Sequence, residues 1–401
     1  MKIWILQAYD QPKGQSTRSG FFAEAFAQSG HDVHLFANAY CHYFKKNRVN
    51  VTGNHMHDLQ DGYHVIWLKS WAYKSNAGRV LNMIENMWRI LIASRDIKDV
   101  PDVIIAPSVP PFTALAGYLL SRKWGVKFIY EIRDVWPSAL IESGALSKWN
   151  PLSIMFAGLE KLFMRKSHMI VSVLDNVIGY AVSKGAEKSK IQIIPNGLPE
   201  SIFETNLISK IFLKNGKTNI TYVGQYGNVH DVLVFAKAAK ALQNNQALHF
   251  NFFGDGVKKQ ETIDYVQRHK LDNVTLHEVI PSDAIMEVLE QSDILIAGIV
   301  GAAHFQYGLN LNKIMYYVAS GKPIIFAGNE TPKILQKYKL GYCADAGDWQ
   351  EIVKLIDGIC LMNSEELKAL SKRAKSAFDK EINIQGLANK YNNALTDLFE
   401  G

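Results

Sequence analysis

Ile193-Ile194-Pro195-Asn196-Gly197-Leu198-Pro199 divides this chain into two runs of the same rhythm. Two prolines and a glycine punctuate the stretch. Upstream, short β-branched and aromatic runs at residues 2–7, 32–38, 63–68, 101–106, 127–132 and 168–174 alternate with helical patterns. Downstream the alternation resumes, with runs at 218–224, 248–254, 273–277, 293–299 and 323–327. Such alternation predicts two α/β domains, each a doubly wound, Rossmann-like parallel sheet with helices on both faces. The expected domains cover 1–195 and 196–380, with 381–401 remaining as a terminal segment. Two such domains in tandem imply a central cleft faced by the carboxyl ends of the strands, where an active site is expected.

Composition agrees with this frame. The 401 residues, 48% hydrophobic and 20% charged, suffice for two cores and exclude a fibrous or largely disordered chain. The apolar run in residues 1–11 is too short for a signal-peptide core, and no stretch reaches the ~18 apolar residues of a membrane span, so a cytoplasmic location is expected. Cys41, Cys343 and Cys360 form no close pair in sequence, which favours reduced, structural thiols over disulfides or a zinc knuckle. The net charge of +6 is uneven: residues 1–195 carry 23 Lys and Arg against 15 Asp and Glu, and the remainder carries 21 against 23. A basic amino-terminal half suits an anionic membrane surface or a phosphorylated substrate; nucleic acid has only the charge in its favour.

Two helical patterns there have apolar stripes: Leu81, Ile84, Met87, Trp88, Leu91 and Ile92 within 78–94, and Met155, Phe156, Leu159, Leu162 and Phe163 within 152–166. Core packing explains most of them; the adjacent Arg165, Lys166, Trp71 and Trp149 also fit a membrane-facing role.

Three segments carry candidate chemistry. The first run leads into Gln11-Pro12-Lys13-Gly14-Gln15-Ser16-Thr17-Arg18 and a helix at 21–29, a loop whose glycine, hydroxyls and Arg18 suit a phosphate or sugar hydroxyl. No G-x-G-x-x-G occurs, and Gly216-Lys217-Thr218 lacks the upstream glycine of a Walker loop. After the run at 127–132 come Glu131, Arg133 and Asp134, with Ser108 after the preceding strand; this crowding of charge marks either a site or an Arg133–Asp134 ion pair. In the second half Gly224, Asn228 and Gly254-Asp255-Gly256 end the first two strands, where glycines allow a ligand to approach backbone. The run at 293–299 then leads through Gly301, His304, Tyr307 and Gly308 into a helix at 311–320. Lys313 in its first turn opposes the helix dipole unless it and the free N–H groups hold one anion, such as a diphosphate; otherwise it is a solvated lysine.

The ordered set of the Pro-x-Gly loop with Thr17-Arg18, Ser29-Gly30-His31-Asp32-Val33, Arg133-Asp134-Val135-Trp136-Pro137, Ile194-Pro195-Asn196-Gly197, Gly254-Asp255-Gly256 and Asn312-Lys313 through Gly321-Lys322-Pro323 resembles the family-4 retaining glycosyltransferases of the GT-B fold. It is most similar to the branch building bacterial surface polysaccharides such as O-antigen, lipopolysaccharide and capsule. The resemblance implies a nucleotide-diphosphate sugar donor, UDP-linked or related and in that branch often carrying an N-acetylated deoxyamino sugar, bound mainly by the second domain. It also implies a lipid-diphosphate-linked or saccharide acceptor on the first domain, peripheral association with the inner membrane face, and a last helix, 385–400, returning to the first domain.

In that comparison the donor side comprises Gly224, Asn228, Gly254, Asp255, Gly256, Tyr307, Gly308, Asn312, Lys313 and Tyr316. The acceptor side comprises Gly14, Thr17, Arg18 and Glu131, with Arg133, Asp134 and Lys313 placed nearest the reaction. The family's E-x7-E glutamates fall at Gly308 and Tyr316, and its diphosphate-gripping Arg and Lys at Gln225 and His230. Lys313 is left as the main cation. Transfer with retention is then expected without a protein nucleophile and, lacking a D-x-D sequence, without a metal or other cofactor. The alternatives are a non-hydrolysing UDP-sugar epimerase and a catalytically degenerate partner subunit.

Overall fold

The computed structural model describes every residue except 11–17, 43–44, 98, 143, 205–212, 214–215, 302–305, 310 and 401. Its contacts divide the chain into two units: Met1–Gly197 with Ile384–Gly401, and Leu198–Asn383. The divisions lie two and three residues past the expected ones. Leu198 bridges to Asn383 and its N–H donates to Ile382 O at 2.9 Å, so the first and last residues of the second unit are tied together there.

Unit 1 runs β1 (Lys2–Leu6), α1 (Arg18–Gln28), β2 (Asp32–Asn38), β3 (Tyr40–Cys41), β4 (Lys46–Asn47), β5 (His55–Gln60), β6 (Tyr63–Leu68), α2 (Asn76–Asp96), β7 (Val103–Pro107), α3 (Pro111–Trp124), β8 (Lys127–Ile132), α4 (Ser138–Glu142), α5 (Pro151–Lys166), β9 (Met169–Ser172), α6 (Ile178–Ser183) and β10 (Ile191–Ile193). Among the described residues its main sheet has eight strands in the order β10-β9-β8-β7-β1-β2-β6-β5. Strand order reverses about β1, so the chain leaves β1 and β7 in opposite directions and opens a crevice at their carboxyl ends. Unit 2 runs β11 (Thr218–Val223), α7 (Leu233–Ala241), β12 (Leu248–Phe253), α8 (Lys259–Arg268), β13 (Val274–His277), α9 (Ile285–Glu290), β14 (Ile294–Gly298), α10 (Asn312–Ser320), β15 (Ile324–Ala327), α11 (Lys333–Tyr338), β16 (Gly341–Ala344), α12 (Trp349–Cys360) and α13 (Ser364–Ala377). Among the described residues its sheet has six parallel strands in the order β13-β12-β11-β14-β15-β16, with the reversal between β11 and β14.

The last helix, α14 (Ile384–Glu400), belongs to unit 1. Tyr391 packs edge-on against Phe22 and Phe26 of α1, with ring centroids 5.6 and 5.3 Å away, and Lys390 Nζ donates to Ile193 O at 2.8 Å.

Two expectations are corrected. The unit 1 sheet is not wholly parallel: β5 pairs antiparallel with β6 through a two-residue turn at Asp61 and Gly62, whose φ values of 45° and 85° suit a type I′ hairpin. The polar sequence His55-Met56-His57-Asp58-Leu59-Gln60 hid this edge strand. The apolar stripe of α2 does not face the core as a whole, for Leu81 is 58% and Trp88 55% exposed. The helix turns Asn82, Glu85 and Asn86 inward instead. Asn82 Nδ2 donates to Ser70 Oγ and Trp71 O, each at 2.9 Å; Glu85 accepts from Trp71 N at 2.8 Å; Asn86 Nδ2 donates to Asn38 Oδ1 at 2.8 Å. Buried polar groups that are fully hydrogen-bonded cost little, so the apolar side was free to turn outward. Among the described residues no helix is long and apolar enough to cross a membrane.

Candidate active site

In unit 2 the loops after β11 and β12 are locked into each other. Gly224 N donates to Phe253 O at 3.0 Å, Tyr226 N to Asp255 O at 2.9 Å, and Lys258 N to Tyr226 O at 2.9 Å. A Cβ on Gly254 would lie 1.8 Å from Gly224 O, and one on Gly256 2.5 Å from Tyr226 O. These two glycines are therefore demanded by the neighbouring backbone, where the sequence suggested approach by a ligand. Gly224 differs: a Cβ there would lie 2.6 Å from Lys313 Nζ. Its missing side chain is the space the lysine occupies.

Lys313 stands in the first turn of α10, whose N-cap residue Leu311 makes no side-chain cap. Its Nζ donates to Tyr222 Oη at 2.8 Å and lies 4.2 Å from the centroid of the Tyr222 ring. Among the described residues no carboxylate forms an ion pair with it. Burial without that compensation lowers its pKa to about 7. His230 is beside it. Burial first, and then the charge of Lys313, lower the imidazole pKa to about 4, and its buried Nδ1 has no hydrogen-bond partner among the described residues. The buried Tyr226 hydroxyl is likewise unpartnered. Three polar groups are thus assembled around glycine-rich backbone with a cation that no carboxylate among the described residues neutralises. Asp255, exposed at the rim, accepts from Gly256 N at 2.7 Å through Oδ1.

The other donor-side candidates sit around this centre unequally. Gln225 and Asn228 are exposed on the loop after β11, and Asn312 is exposed at the start of α10. Tyr307 and Gly308 lie in the segment leading into α10; Tyr316 is on its buried face, as is Tyr317, whose hydroxyl accepts from Val223 N at 2.8 Å. His304 lies outside the described residues.

Unit 1 presents a different electrostatic object at the ends of β1, β7 and β8. Arg133 donates through Nε to Glu131 Oε1 at 2.7 Å, through one terminal nitrogen to Ser19 Oγ at 2.7 Å, and through the other to Asp10 in a short ion pair. Arg18 Nε donates to Glu131 Oε2 at 3.0 Å and its Nη1 to Pro195 O at 2.5 Å. Burial pulls the Asp10 and Glu131 pKa values up, but the arginines and hydrogen bonds overcome it, and both carboxyls are held below the usual range. Two arginines and two carboxylates cancel, so Arg133 is a bound strut and not a free cation. Ser108 Oγ accepts from Arg133 N at 3.1 Å and donates to Asp134 O at 2.9 Å, fixing the turn; Asp134 Oδ1 accepts from Val135 N at 2.8 Å. Gly14 and Thr17 lie outside the described residues.

Sequence reasoning missed Asp10, Tyr222 and a further cluster. Arg79 Nε donates to Tyr9 Oη at 3.2 Å, and its guanidinium carbon lies 5.2 Å from the Tyr9 ring centroid and 5.6 Å from that of Trp136. His42 lies tilted against Tyr9 with ring centroids 5.1 Å apart, stacks on Tyr73 and is joined to the Tyr73 hydroxyl by a short hydrogen bond. Among the described residues one group, Asp32, His34 and His64, has the makings of a metal site, its ligand atoms within 4.8 Å of one another. It lies at the amino ends of β2 and β6, opposite the ends that carry the groups above.

Two doubly wound domains in one chain match the GT-B fold of solved glycosyltransferase structures. More particularly, residues 12–201 match Glycosyltransferase Family 4 and residues 217–360 match Glycosyl transferases group 1, so this chain is a glycosyltransferase built from those two domains. Among curated proteins it is 23% identical over 281 residues to the probable glycosyltransferase WbjE of Pseudomonas aeruginosa, covering 66% of this chain and 68% of that one. Among solved structures it resembles sucrose-phosphate synthase from Thermosynechococcus elongatus, with a TM-score of 0.73 and 12% identity over 100% of this chain and 99% of the other. HepE of Anabaena in complex with UDP gives 0.68 at 12% identity, over 99% and 100%. WaaG, a glycosyltransferase involved in lipopolysaccharide biosynthesis, gives 0.68 at 14% identity, over 98% of each chain.

Proposed function

We propose that the protein transfers a sugar, with retention at the anomeric carbon, from a nucleotide-diphosphate donor held by unit 2 to an acceptor held by unit 1, in the assembly of a bacterial surface polysaccharide. The observation that carries this reading is the uncompensated Lys313 ammonium beside the interlocked loops of Gly224, Gly254 and Gly256. An isolated buried cation is costly, and a diphosphate supplies the missing charge. HepE binds UDP and UDP-glucose, as its structures record, and WaaG acts in lipopolysaccharide biosynthesis.

In this reading Lys313 and the α10 N-terminus meet the leaving diphosphate, and His230 Nδ1 and the Tyr226 hydroxyl, without hydrogen-bond partners among the described residues, supply further hydrogen bonds. No side chain in the described site is arranged as a base-activated nucleophile. In this reading catalysis comes from positioning and from charge stabilisation of the departing phosphate. Arg133 acts by holding Asp10 and Glu131 in place. The acceptor is lipid-linked, and the protein works peripherally at an anionic membrane surface: besides Leu81 and Trp88, the α5 residues Ile154 and Met155 and nearby Trp149 are exposed, with Lys148, Lys161, Arg165 and Lys166 close in sequence.

A thermal-shift panel of nucleoside diphosphates and their sugars tests the donor assignment, because a ligand of the folded state alone raises the midpoint. A shift with at least one of them, lost in Lys313→Met, is expected; no shift with any would remove the donor site from unit 2.

A further inference from the structure

Asp32, His34 and His64 form a second constellation in unit 1, at the strand ends opposite those that carry the Arg133 network. Asp32 and His34 stand two residues apart on β2, so their side chains leave the same face of the sheet. His64 on β6 is the register partner of His34, which sets the two imidazoles side by side with ring centroids 4.8 Å apart. His34 Nε2 lies 3.1 Å from Asp32 Oδ1, and one nitrogen or oxygen from each of the three residues falls within 4.8 Å of the others. Pairing between two sheet strands, and not a loop conformation, fixes this spacing.

The donor set is specific in kind. Two imidazole nitrogens and one carboxylate oxygen suit Zn²⁺ and other late divalent transition metals, whereas Mg²⁺ and Ca²⁺ take oxygen ligands. Tetrahedral zinc, with bonds of about 2.0–2.1 Å, separates its ligand atoms by about 3.3 Å. His34 and Asp32 already stand at that separation, and the remaining gaps need to close by up to about 1.5 Å. His64 is exposed, so rotation of its side chain supplies the movement. His34 is the fixed ligand: it is 9% exposed and stacks beside the buried Trp4, ring centroids 6.3 Å apart. Burial lowers its pKa, so the ring is uncharged at neutral pH, as a metal ligand must be. Lys2 is the competing cation. Its Nζ lies 3.3 Å from Asp32 Oδ2 but closer, at 2.9 Å, to Asp99, and Oδ1 is the oxygen that faces His34.

We infer that Asp32, His34 and His64 bind one divalent transition-metal ion of the zinc class, with water completing its coordination on the exposed side. The ion clamps β2 to β6 and takes no part in sugar transfer, because the transfer groups of unit 1 lie at the other ends of the strands. Since the three ligands converge only in the folded chain, the ion raises the stability of the native state.

Calorimetry of ZnCl₂ into the full chain without an affinity tag provides the test. The wild type is expected to take up one equivalent, and the affinity to fall by at least about tenfold in Asp32→Asn and in His64→Gln. The thermal midpoint should rise with ZnCl₂ in the wild type and stay still in both variants, whereas MgCl₂ moves none of them. Both substituted residues are exposed, and midpoints measured without metal check that the variants fold. Co²⁺ in place of Zn²⁺ should show the visible absorption of a tetrahedral ion, diminished in the same variants. Lys313→Met should bind zinc as the wild type does, which separates this site from the donor site. No zinc uptake by the wild type would overturn the inference. So would uptake that survives Asp32→Asn and His64→Gln but disappears in His55→Gln/His57→Gln, the neighbouring pair of imidazoles on β5.

Discussion

Lys313 Nζ donates to the Tyr222 hydroxyl at 2.8 Å and sits over that ring at 4.2 Å, while no carboxylate among the described residues answers its charge. The neighbouring His230 is itself driven neutral. Such a cation destabilises the free protein and gains value only when an anion arrives. Stability and function should therefore oppose each other at this position.

That opposition is measurable. With a folded pKa of about 7, against 10.5 for an ordinary lysine, Lys313 is more protonated in the unfolded chain between these values. Stability accordingly rises with pH across about 7 to 10.5, and the full cost of the buried charge is present below that window. Lys313→Met should be more stable than the wild type at pH 7 by on the order of 1–2 kcal/mol, an advantage that shrinks toward pH 10. Urea melts of both proteins at pH 7 and pH 9.5 check this; a Met variant less stable than the wild type at pH 7 would show the ammonium to be compensated.

Glu131 supports two arginines at once, with Arg18 and Glu131 side chains each under 5% exposed. Glu131→Gln leaves Arg18 without its carboxylate and Arg133 with Asp10 alone, and should cost about 3 kcal/mol, read from the same melts. Because the folded pKa values of Asp10 and Glu131 are depressed, their contribution is present above the usual carboxylate range and is lost as pH falls through the lower folded values. The wild type should show an acid limb to its stability that Glu131→Gln lacks in part. An unchanged midpoint in the variant would mean that the network is solvated.

The crossing of the two loops in unit 2 is unforgiving. In Gly254→Ala the new methyl would meet the carbonyl of Gly224, and the φ of 135° disfavours any L side chain. A loss of about 2–4 kcal/mol is expected. Gly301, where an added Cβ would meet nothing within 4 Å, is the matched control and should tolerate alanine. Equal midpoints for the two variants would contradict the packing of these loops.

At the surface of unit 1, the exposed Leu81 and Trp88 and the basic residues of α5 predict binding to anionic vesicles that weakens as salt rises. Sedimentation with phosphatidylglycerol vesicles should pull down the wild type at low salt and much less of Leu81→Glu/Trp88→Glu. Salt-independent pull-down, or none, argues against the membrane assignment.

The architecture was largely visible in the sequence because buried parallel strands announce themselves as short β-branched runs, as at Val103–Pro107 and Ile294–Gly298. Edge strand β5 was not, since none of its side chains is buried, although Asp61-Gly62 advertised its turn. Periodicity identified the apolar stripe of α2 but not its direction: which face turns inward was decided by Asn82, Glu85 and Asn86 finding hydrogen-bond partners distant in sequence. Lys313 stood out as a lysine in the wrong helical turn. The pairing of Arg133 with Asp10 did not, because 123 residues separate the two and only the sheet order brings the ends of β1 and β8 into range.

Calorimetric titration of UDP and the other nucleoside diphosphates into wild type and Lys313→Met, at pH 6, 7, 8 and 9, addresses the central claim most directly. Anion binding must be accompanied by protonation of Lys313, so affinity should be flat below pH 7 and fall by up to about tenfold per pH unit above it, with proton uptake visible as a dependence of the heat on buffer. Lys313→Met should bind weakly and without that pH dependence. Equal, pH-independent affinity in the two proteins would contradict the account.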